Sequence, residues 1–445
     1  MDTPVCDFIR DYRARNVLRL HMPGHKGRGF PEEMDLTEIG GLDPLYPAAG
    51  VIRESEENAA ALFGAGRTVY SAEGSSLCIR AMMALIRMRA EREGIRPLVL
   101  AGRNAHSSFL SAVALLGMEV RWLRGENLMT CRPTEAELRE ALADRLPAAV
   151  YLTSPDYTGN RADIRSLAQV CHSRGIPLLV DNAHGAYLRF LPKDGHPLSQ
   201  GADMTCDSAH KTLPVLTGGA YLHIHQGADS LFSRQAERAM ALFASTSPSW
   251  LILQSLDRCN GLLAGEYRER LAAFAQRVAG LKGRLAERGF ELTGDEPLKI
   301  TLRTKAYGYT GDELHDRMRE KGIECEFSDP DFLVMMVTPE TGEEGLVRLE
   351  RALGEIPRRA PNPEMPPPLP APEPVMTISA ALLAPAEPVP AGRSRGRILA
   401  DPCVSCPPAI PILVSGERIG GEAIRCFEYY GIERVNCVSE EAGGS

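Results

Sequence analysis

The segment Asp207-Ser208-Ala209-His210-Lys211-Thr212 places a lysine between an apolar run and the glycines Gly218-Gly219. A lysine that is held where a strand meets a loop can lose its proton, and its amine can then form an imine with an aldehyde. A lysine after a histidine is more often a surface residue, so this interpretation needs support from other residues.

Asp181 gives that support, because it ends the apolar run 177–180 thirty residues before Lys211. Open α/β sheets bind their ligands at the carboxyl ends of strands, and a carboxylate there can keep a pyridine nitrogen protonated. The alternative is an aspartate that caps a helix or a turn. An aspartate followed by a lysine, each at a strand end, is typical of the aspartate-aminotransferase type of fold. The two residues together predict pyridoxal 5′-phosphate as the cofactor.

A phosphate site is predicted at Glu73-Gly74-Ser75-Ser76, directly before a helix that starts near Leu77. Gly74 lets the backbone come close, the hydroxyls of Ser75 and Ser76 can donate, and the amides at a helix start attract an anion. The same residues would also make an ordinary helix cap.

Two histidines are further candidates for contact with the cofactor ring. His106 follows a predicted strand and could lie flat against the ring, although a capping or surface histidine is the alternative. His184 lies three residues after Asp181, so it is near the ring if Asp181 is.

These residues require a sheet that positions them, and the pattern from about residue 60 to residue 225 predicts one. Short apolar runs alternate there with helix-length segments, as in a parallel sheet covered by helices. The predicted strands are 97–101, 118–123, 148–153, 177–181, 202–207 and 219–225. The predicted helices are 76–92, 107–116, 134–143 and 164–174.

The rest of the chain predicts a smaller domain, a linker and a cap. Helices are expected at 230–243 and along 250–288, followed by strand and helix segments at 297–302, 312–321 and 332–337. Prolines are dense in 361–390, which predicts an extended linker. The apolar residues of 396–438 predict a small cap that docks on the body.

Composition narrows the function classes. The chain has 445 residues, of which 44% are hydrophobic, and a net charge of −8, so no basic field exists for nucleic acid or anionic lipid. No run of about 20 apolar residues could span a membrane, and the amino terminus lacks the apolar core of a signal peptide. We therefore expect a cytoplasmic protein without nucleic-acid or membrane partners.

No metal site is expected from the cysteines or histidines. The eleven cysteines are irregularly spaced, which fits a reducing compartment. Cys403 and Cys406 form a CxxC without a second pair, so we interpret them as loop residues. Pro23-Gly24 prevents the helix that would bring His21 and His25 together on zinc.

Taken together, the motifs resemble those of the Orn/Lys/Arg decarboxylase family. The motifs that carry the resemblance are His21-Met22-Pro23-Gly24-His25-Lys26-Gly27, Asp35-Leu36-Thr37-Glu38-Ile39, Gly41-Leu42-Asp43-Pro44-Leu45, Glu73-Gly74-Ser75-Ser76, Thr153-Ser154-Pro155, Asp181-Asn182-Ala183-His184-Gly185-Ala186, Ser208-Ala209-His210-Lys211, Ser245-Thr246-Ser247-Pro248-Ser249 and Pro407-Pro408-Ala409-Ile410-Pro411. They occur in family order over nearly the whole chain, and their joint occurrence is more specific than any one of them.

The resemblance implies an α/β fold of the pyridoxal-phosphate-dependent transferase type, with a smaller α+β carboxyl-terminal domain. It implies a segment lining the active site at 1–50, a large cofactor-binding domain at 51–245, a helical connection and small domain at 246–360, a Pro/Ala-rich linker at 361–392 and a family cap at 393–445.

The resemblance also implies a role for each matched residue. Lys211 matches the lysine that carries the cofactor as a Schiff base, Asp181 the partner of the pyridine nitrogen, Ser75 and Ser76 the phosphate loop, His106 the histidine stacked on the ring, Ser208 and His210 further cofactor contacts, and His184 a position near the reacting carbon. The segment Thr246-Ser247 matches one that reaches a neighbouring subunit's phosphate, which implies a homodimer or a larger homo-oligomer.

Three residues depart from the family pattern. Asn182 stands where the family commonly has Glu, Ala409 replaces a usual Gly, and Cys406 occupies a place often held by Tyr. The last two leave the choice of substrate open. The chain also lacks the extra amino-terminal domain of the large family members, so their ring assemblies are not implied.

The function that the resemblance implies is decarboxylation of arginine, lysine or ornithine to an amine and carbon dioxide, with arginine or lysine favoured. One alternative is an aminotransferase or lyase, because the same cofactor anchors serve those reactions. The other alternative is a non-catalytic homologue that regulates a decarboxylase, and the presence of both the lysine and the phosphate loop argues against it.

Overall fold

The computed structural model describes residues 1–15, 19, 22, 26, 28–124, 131–406 and 410–440. They form two compact units. The first consists of Met1–Arg96, Ala148–Ser154 and Asp163–Ala272, and the second of Pro97–Pro147, Pro155–Ala162 and the chain from Ala273 onward. The five domains predicted from the sequence divide the chain differently and stay a prediction, apart from the linker discussed below.

The elements are as follows. The helices are α1 (Pro4–Ala14), α2 (Val51–Phe63), α3 (Gly74–Glu93), α4 (Ser107–Leu115), α5 (Glu135–Asp144), α6 (Ile164–His172), α7 (Ala209–Thr212), α8 (Ser230–Ala241), α9 (Trp250–Ala264), α10 (Tyr267–Glu287), α11 (Gly311–Glu320), α12 (Gly342–Gly354), α13 (Ile378–Leu382) and α14 (Gly421–Tyr429). The strands are β1 (Arg67–Ser71), β2 (Leu98–Gly102), β3 (Glu119–Leu123), β4 (Ala149–Thr153), β5 (Leu178–Asp181), β6 (Met204–Asp207), β7 (Ala220–Ile224), β8 (Glu291–Thr293), β9 (Lys299–Arg303), β10 (Phe327–Ser328), β11 (Phe332–Met336), β12 (Ala386–Pro390), β13 (Cys403–Cys406), β14 (Ile410–Val414) and β15 (Arg434–Val438).

The first unit contains a sheet whose strands lie in the order β1-β7-β6-β5-β4. Strands β4, β5 and β6 are parallel, but β7 runs antiparallel to both β6 and β1. The prediction of a parallel sheet is therefore wrong for β7, and β1 was not predicted. A parallel connection needs a crossover of a dozen residues or more, usually a helix, whereas the segment 208–219 holds only the one-turn helix α7 and turns back.

This topology brings the ends of three strands to one edge of the sheet. Asp181 at the end of β5 lies opposite Cys206 in β6, so Asp181 and Asp207 end neighbouring parallel strands. Strand β1 points the same way as β6, because both are antiparallel to β7. The loop after β1 and the loop after β6 therefore meet at the edge where parallel sheets bind ligands.

Helix α3 starts at this edge and is almost entirely apolar along its buried length. Ten of its twenty residues are buried, and the helix ends at Gly94, which has the left-handed conformation that favours glycine. Its amino-terminal residue, Gly74, has a φ of +73°. The turn from β1 into α3 is therefore one that few other residues could form without strain.

The second unit contains the parallel pair β2 and β3, with α4 and α5, and a separate antiparallel sheet ordered β10-β11-β9-β8. Helix α11 in this part begins with a capping box between Thr310 and Glu313. The predicted segments 297–302, 312–321 and 332–337 correspond to β9, α11 and β11. The amphipathic stretch along 250–288, which was predicted to be helical, forms two helices, α9 and α10, because the chain leaves helical geometry at Gly265.

The predicted linker at 361–392 is wrong in its second half. That half contains α13 and β12, and β12 pairs with β15 in a two-stranded antiparallel sheet. Helix α13 packs against α4, where the hydroxyl of Ser379 donates to the carbonyl of Ala114 at 2.9 Å. Prolines are compatible with β12 because it is an edge strand, where a missing N–H costs no ladder bond.

The carboxyl-terminal residues build a core of their own. Its buried residues include Leu399, Ile412, Leu413, Ile419 and Phe427. Leu369 and Val389 from the predicted linker pack against this core. No described helix is both long enough and apolar enough to cross a lipid bilayer.

A buried carboxylate in the second unit makes stability depend on pH. Asp329 is 2% exposed, and burial raises its pKa to about 7. One of its oxygens accepts the backbone N–H groups of Asp331 and Phe332 at 2.7 and 2.6 Å. Because the folded protein holds a proton on Asp329 that the unfolded chain releases near pH 4, stability falls as the pH rises from about 4 to about 7.

Asp329→Asn is expected to remove this dependence. The amide stays neutral, so the variant should gain stability over the wild type at pH 8 by up to about 4 kcal/mol, and far less at pH 5. The check is the melting temperature of both proteins at the two pH values, with the exposed Asp316→Asn as control. Parallel pH profiles for wild type and Asp329→Asn would contradict the assignment.

Candidate active site

Lys211 and His184 meet at the carboxyl ends of β5 and β6, at one edge of the sheet in the first unit. Lys211 lies in α7, directly after β6, and its Nζ is 2.9 Å from Nε2 of His184. His184 follows β5 and is 6% exposed, whereas Lys211 is half-buried. At this distance a proton can pass between the amine and the imidazole. The structure therefore brings together two residues that the sequence placed 27 positions apart.

Asp181 is 3% exposed at the end of β5, and three donors surround its carboxylate. The hydroxyl of Tyr151 lies 3.2 Å from Oδ2, and the backbone N–H of Ala183 and the thiol of Cys206 lie 3.1 and 3.4 Å from Oδ1. Burial, and then the charge of Asp181, raise the pKa of both Tyr151 and Cys206, so both stay protonated and donate. The carboxylate is thus held in one orientation.

The predicted phosphate loop contacts the lysine loop directly. The hydroxyl of Ser208 donates to that of Ser75 at 2.7 Å, and the N–H of Gly74 donates to the carbonyl of Gly218 at 2.7 Å. No side chain caps the start of α3, and Ser76 lies in its first turn. A Cβ added at Gly74 would meet no atom within 4 Å, so the space beside this helix start is open to an anion.

His210 lies beside Lys211 and is anchored to the backbone. Its Nδ1 is 3.0 Å from the carbonyl of Gly219. Burial lowers its pKa, and the neighbouring charge of Lys211 lowers it further. The ring is therefore neutral near pH 7, with its proton on Nδ1 and a lone pair on Nε2.

A second group of polar residues lies behind the site and was not predicted. The Asp207 carboxylate is fully buried and contacts Nδ2 of Asn182 at 2.9 Å, Nε2 of His196 at 2.8 Å and Nε2 of His223 at 3.6 Å. Burial alone would raise the pKa of Asp207, but His196 and His223 hold it below its usual range. These contacts fix the start of the lysine loop to the segment after β5.

His106 lies in the second unit, where it precedes α4. Its Nδ1 accepts the N–H of Ser108 at 3.2 Å and lies 3.0 Å from the Ser108 hydroxyl. His106 therefore caps α4, as the alternative interpretation of the sequence predicted. The residue is exposed to solvent. Its proposed contact with a cofactor ring stays a prediction.

Some predicted residues lie outside the described part of the chain. They are His21, Pro23, Gly24, His25 and Gly27 of the first motif, and Pro407, Pro408 and Ala409 of the last. Among the described residues, no three His, Cys, Asp or Glu side chains are grouped as metal ligands would be.

The residues around Lys211 fit pyridoxal 5′-phosphate in chemical type. The cofactor's aldehyde requires an amine, and the amine of Lys211 has a base beside it. Its pyridine nitrogen requires a carboxylate, and one is buried on the adjoining strand. Its phosphate requires hydrogen-bond donors, and the open start of a helix, lined by hydroxyls, provides them. The arrangement lies at one sheet edge, as ligand sites in open α/β sheets do.

Solved structures show the same fold. A lysine decarboxylase from Francisella novicida, LdcF, aligns with a TM-score of 0.80 at 16% identity, over 98% of this chain and 81% of that chain. The chain therefore has the α/β fold of the pyridoxal-phosphate-dependent transferase type that its sequence predicted.

Sequence comparison gives the family. The model of the Orn/Lys/Arg decarboxylase major domain matches residues 3–286. An arginine decarboxylase of Halalkalibacterium halodurans is 30% identical over 94% of this chain and 91% of its own length, and an arginine decarboxylase of Bacillus subtilis is 29% identical over 95% and 92%. The chain belongs to the Orn/Lys/Arg decarboxylase family and is a pyridoxal-phosphate-dependent amino-acid decarboxylase, which confirms the predicted enzyme class and cofactor.

Proposed function

We propose that this enzyme removes carbon dioxide from a basic amino acid, with arginine as its substrate and an amine of polyamine metabolism as its product. The grouping of Lys211, His184 and Asp181 at one sheet edge carries the proposal of catalysis. The choice of arginine is supported by two relatives, 29% and 30% identical, that are both arginine decarboxylases.

The cofactor would be held at three points. Lys211 would attach it covalently through its amine, Asp181 would pair with its ring nitrogen, and the serines Ser75, Ser76 and Ser208 would donate to its phosphate. His106 would lie against the ring, and His210 would hold Lys211 in place through its own bond to Gly219. When bound, the cofactor supplies an aldehyde that takes up the substrate amine and a ring that accepts the electrons released with carbon dioxide.

The residues of this chain then do the proton chemistry. Once the substrate amine had replaced Lys211 on the cofactor, the Lys211 amine would be available to move a proton. Lys211 or His184, whose nitrogens lie 2.9 Å apart, would supply the proton that replaces the lost carboxylate. His184 and Asp181 are both buried, so solvent would screen the interaction of the Asp181 carboxylate with the ring nitrogen only weakly.

Ser208→Ala is expected to weaken binding of pyridoxal 5′-phosphate by about 10- to 100-fold, because one hydrogen bond to a charged group is lost. The check is titration of the apo protein with the cofactor, followed by its absorbance. Ser173→Ala is the matched control, since its hydroxyl donates to Val170 at 2.8 Å away from the ligand edge. Equal affinity of wild type and Ser208→Ala would remove Ser208 from the phosphate site.

The substrate is tested with the purified holoenzyme and arginine, lysine and ornithine in parallel. Release of carbon dioxide and the matching amine, fastest from arginine, is the expected result. Faster release from lysine or ornithine would reject arginine as the substrate. A keto acid in place of carbon dioxide would favour an aminotransferase, and no reaction with any of the three would favour the regulatory homologue.

We also propose a cytoplasmic homodimer as the minimal active unit. The N–H of Ser245 donates to Glu73 Oε1 at 2.7 Å, so the Thr246-Ser247 segment starts beside the proposed phosphate loop. Three leucines of the first unit, Leu216, Leu242 and Leu262, are 41–57% exposed and would be covered by a second chain. None of the ten cysteines whose side chains are described forms a disulfide bond, which fits a reducing compartment. Sedimentation of a single chain at micromolar concentration would contradict the dimer.

A further inference from the structure

We propose that Glu417, in the carboxyl-terminal part of the chain, is a positioning residue for the cofactor, because its buried ion pair with Arg103 anchors the loop that carries His106. The inference rests on the role proposed above for His106. It concerns two residues that lie 314 positions apart in the sequence.

The two side chains form a double hydrogen bond inside the second unit. Nη1 of Arg103 is 2.7 Å from Oε1 of Glu417, and Nη2 is 2.7 Å from Oε2. Each side chain is 3% exposed. A guanidinium and a carboxylate that meet in this way fix each other's plane as well as their distance.

Glu417 is itself held rigidly. Its Oε2 accepts the N–H of Val414 at 2.9 Å, and its carbonyl accepts the N–H of Leu399 at 3.0 Å. The preceding residue, Gly416, has a φ of +88°, and a Cβ there would lie 2.4 Å from the carbonyl of Met376. The turn that carries the Glu417 carboxylate is therefore packed closely against the backbone at Met376.

Arg103 is fixed in the same way at the end of β2. Its N–H donates to the carbonyl of Leu123 and to Sγ of Cys131, each at 3.0 Å. Its guanidinium lies over the ring of Trp122, 5.3 Å from the centroid. The ion pair thus joins a strand end to the carboxyl-terminal turn.

His106 follows Arg103 by three residues, and the two residues between them are buried. The N–H of Ala105 donates to the carbonyl of Gly102 at 3.2 Å, and His106 then begins α4. The far end of α4 is also held by the carboxyl-terminal part, through the bond from Ser379 to Ala114. The segment that carries the exposed His106 is therefore restrained at both ends. A displacement of Arg103 would move the His106 ring with it.

A buried ion pair is weak support for a purely stabilising role, because desolvation offsets most of the attraction. Replacing both partners with apolar residues of similar size often leaves stability unchanged, whereas removing one partner leaves a buried charge. This difference separates a positioning role from a stabilising one. An apolar pair should restore the stability that a single substitution removes, but it cannot form the two directed hydrogen bonds.

The experiment compares Glu417→Gln and the double variant Arg103→Met/Glu417→Met with wild type. Amide hydrogen exchange of the apo protein over residues 103–112 and the dissociation constant for pyridoxal 5′-phosphate are measured for each. We expect exchange in this segment and the dissociation constant both to rise about tenfold or more, as for other groups that orient ligand-contacting side chains. Glu373→Gln, which breaks an exposed pair with Arg418 in the same part of the chain, should change neither.

The double variant decides the question if Glu417→Gln does not fold. If the double variant melts at the wild-type temperature but binds the cofactor more weakly, the result supports a positioning role. If it has both the melting temperature and the cofactor affinity of the wild type, the proposal is overturned. Unchanged exchange over residues 103–112 would also overturn it. If the wild-type protein does not bind the cofactor, the proposed function is refuted instead. The hydrogen-exchange comparison would still show whether the Arg103–Glu417 ion pair anchors residues 103–112.

Discussion

Replacing Lys211 with alanine is expected to abolish both the absorbance band of the bound cofactor and turnover, with a loss of at least about 10⁴-fold in kcat. The variant loses the only amine that we propose for covalent attachment, and it loses one of the two groups that share a proton across 2.9 Å. The measurements are the absorbance spectrum after addition of pyridoxal 5′-phosphate and the rate of carbon dioxide release.

Lys193→Ala is the matched control, since Lys193 is an exposed lysine of the same unit. It should keep the spectrum and the rate of the wild type. If Lys211→Ala kept full activity, the proposed site would have to be abandoned. If it lost activity but kept the absorbance band, another lysine would carry the cofactor.

Replacing Asp181 with asparagine is expected to lower kcat by about 10²- to 10⁴-fold while cofactor binding is partly kept. The amide can still accept the N–H of Ala183, so the local structure should persist. It cannot hold a positive charge on the ring nitrogen, however, and the electrons of the departing carboxylate would lose their acceptor. The measurement is kcat at saturating substrate, together with the cofactor dissociation constant.

Asp203→Asn tests whether the loss is specific to the ligand edge. Asp203 lies just before β6 and accepts the N–H of Leu178 at the start of β5, so it marks the opposite edge of the same two strands. This variant should retain the wild-type rate. A near-normal rate for Asp181→Asn, or an equal loss in both variants, would count against the role assigned to Asp181.

The positions of Asp181 and Lys211 at one edge of the sheet could be predicted because their signals are local. Asp181 and Lys211 each follow a short apolar run, and the direction of parallel strands sends both to one edge. Gly74, Ser75 and Ser76, which open α3, indicate a helix start in the same way. Each inference needs only a few neighbouring residues, and the fold follows from repeating it along the chain.

Residues that support the site were missed because their partners are distant in sequence. Tyr151 lies inside the apolar run of β4, where a tyrosine is an ordinary strand residue, and only pairing with β5 brings it to Asp181. Asp207 ends a strand as Asp181 does, yet its carboxylate contacts the buried His196 and His223. Nothing local distinguishes the two aspartates.

Two errors in the prediction of the fold have a similar cause. The prolines of 386–390 predict an extended chain, which is correct, but whether an extended chain is a linker or an edge strand depends on its neighbour, β15. The direction of β7 depends on the length of the connection from β6, and the apolar pattern of a strand carries no information about direction.

The contact between Asn182 and Asp207 limits how this enzyme can be recombined with its relatives. The amide donates to a buried carboxylate at 2.9 Å, so a glutamate at position 182 would bring two buried carboxyl groups together. Residues 182 and 207 must therefore change as a pair. A chimera that inherits one from each parent would carry this conflict four residues before Lys211.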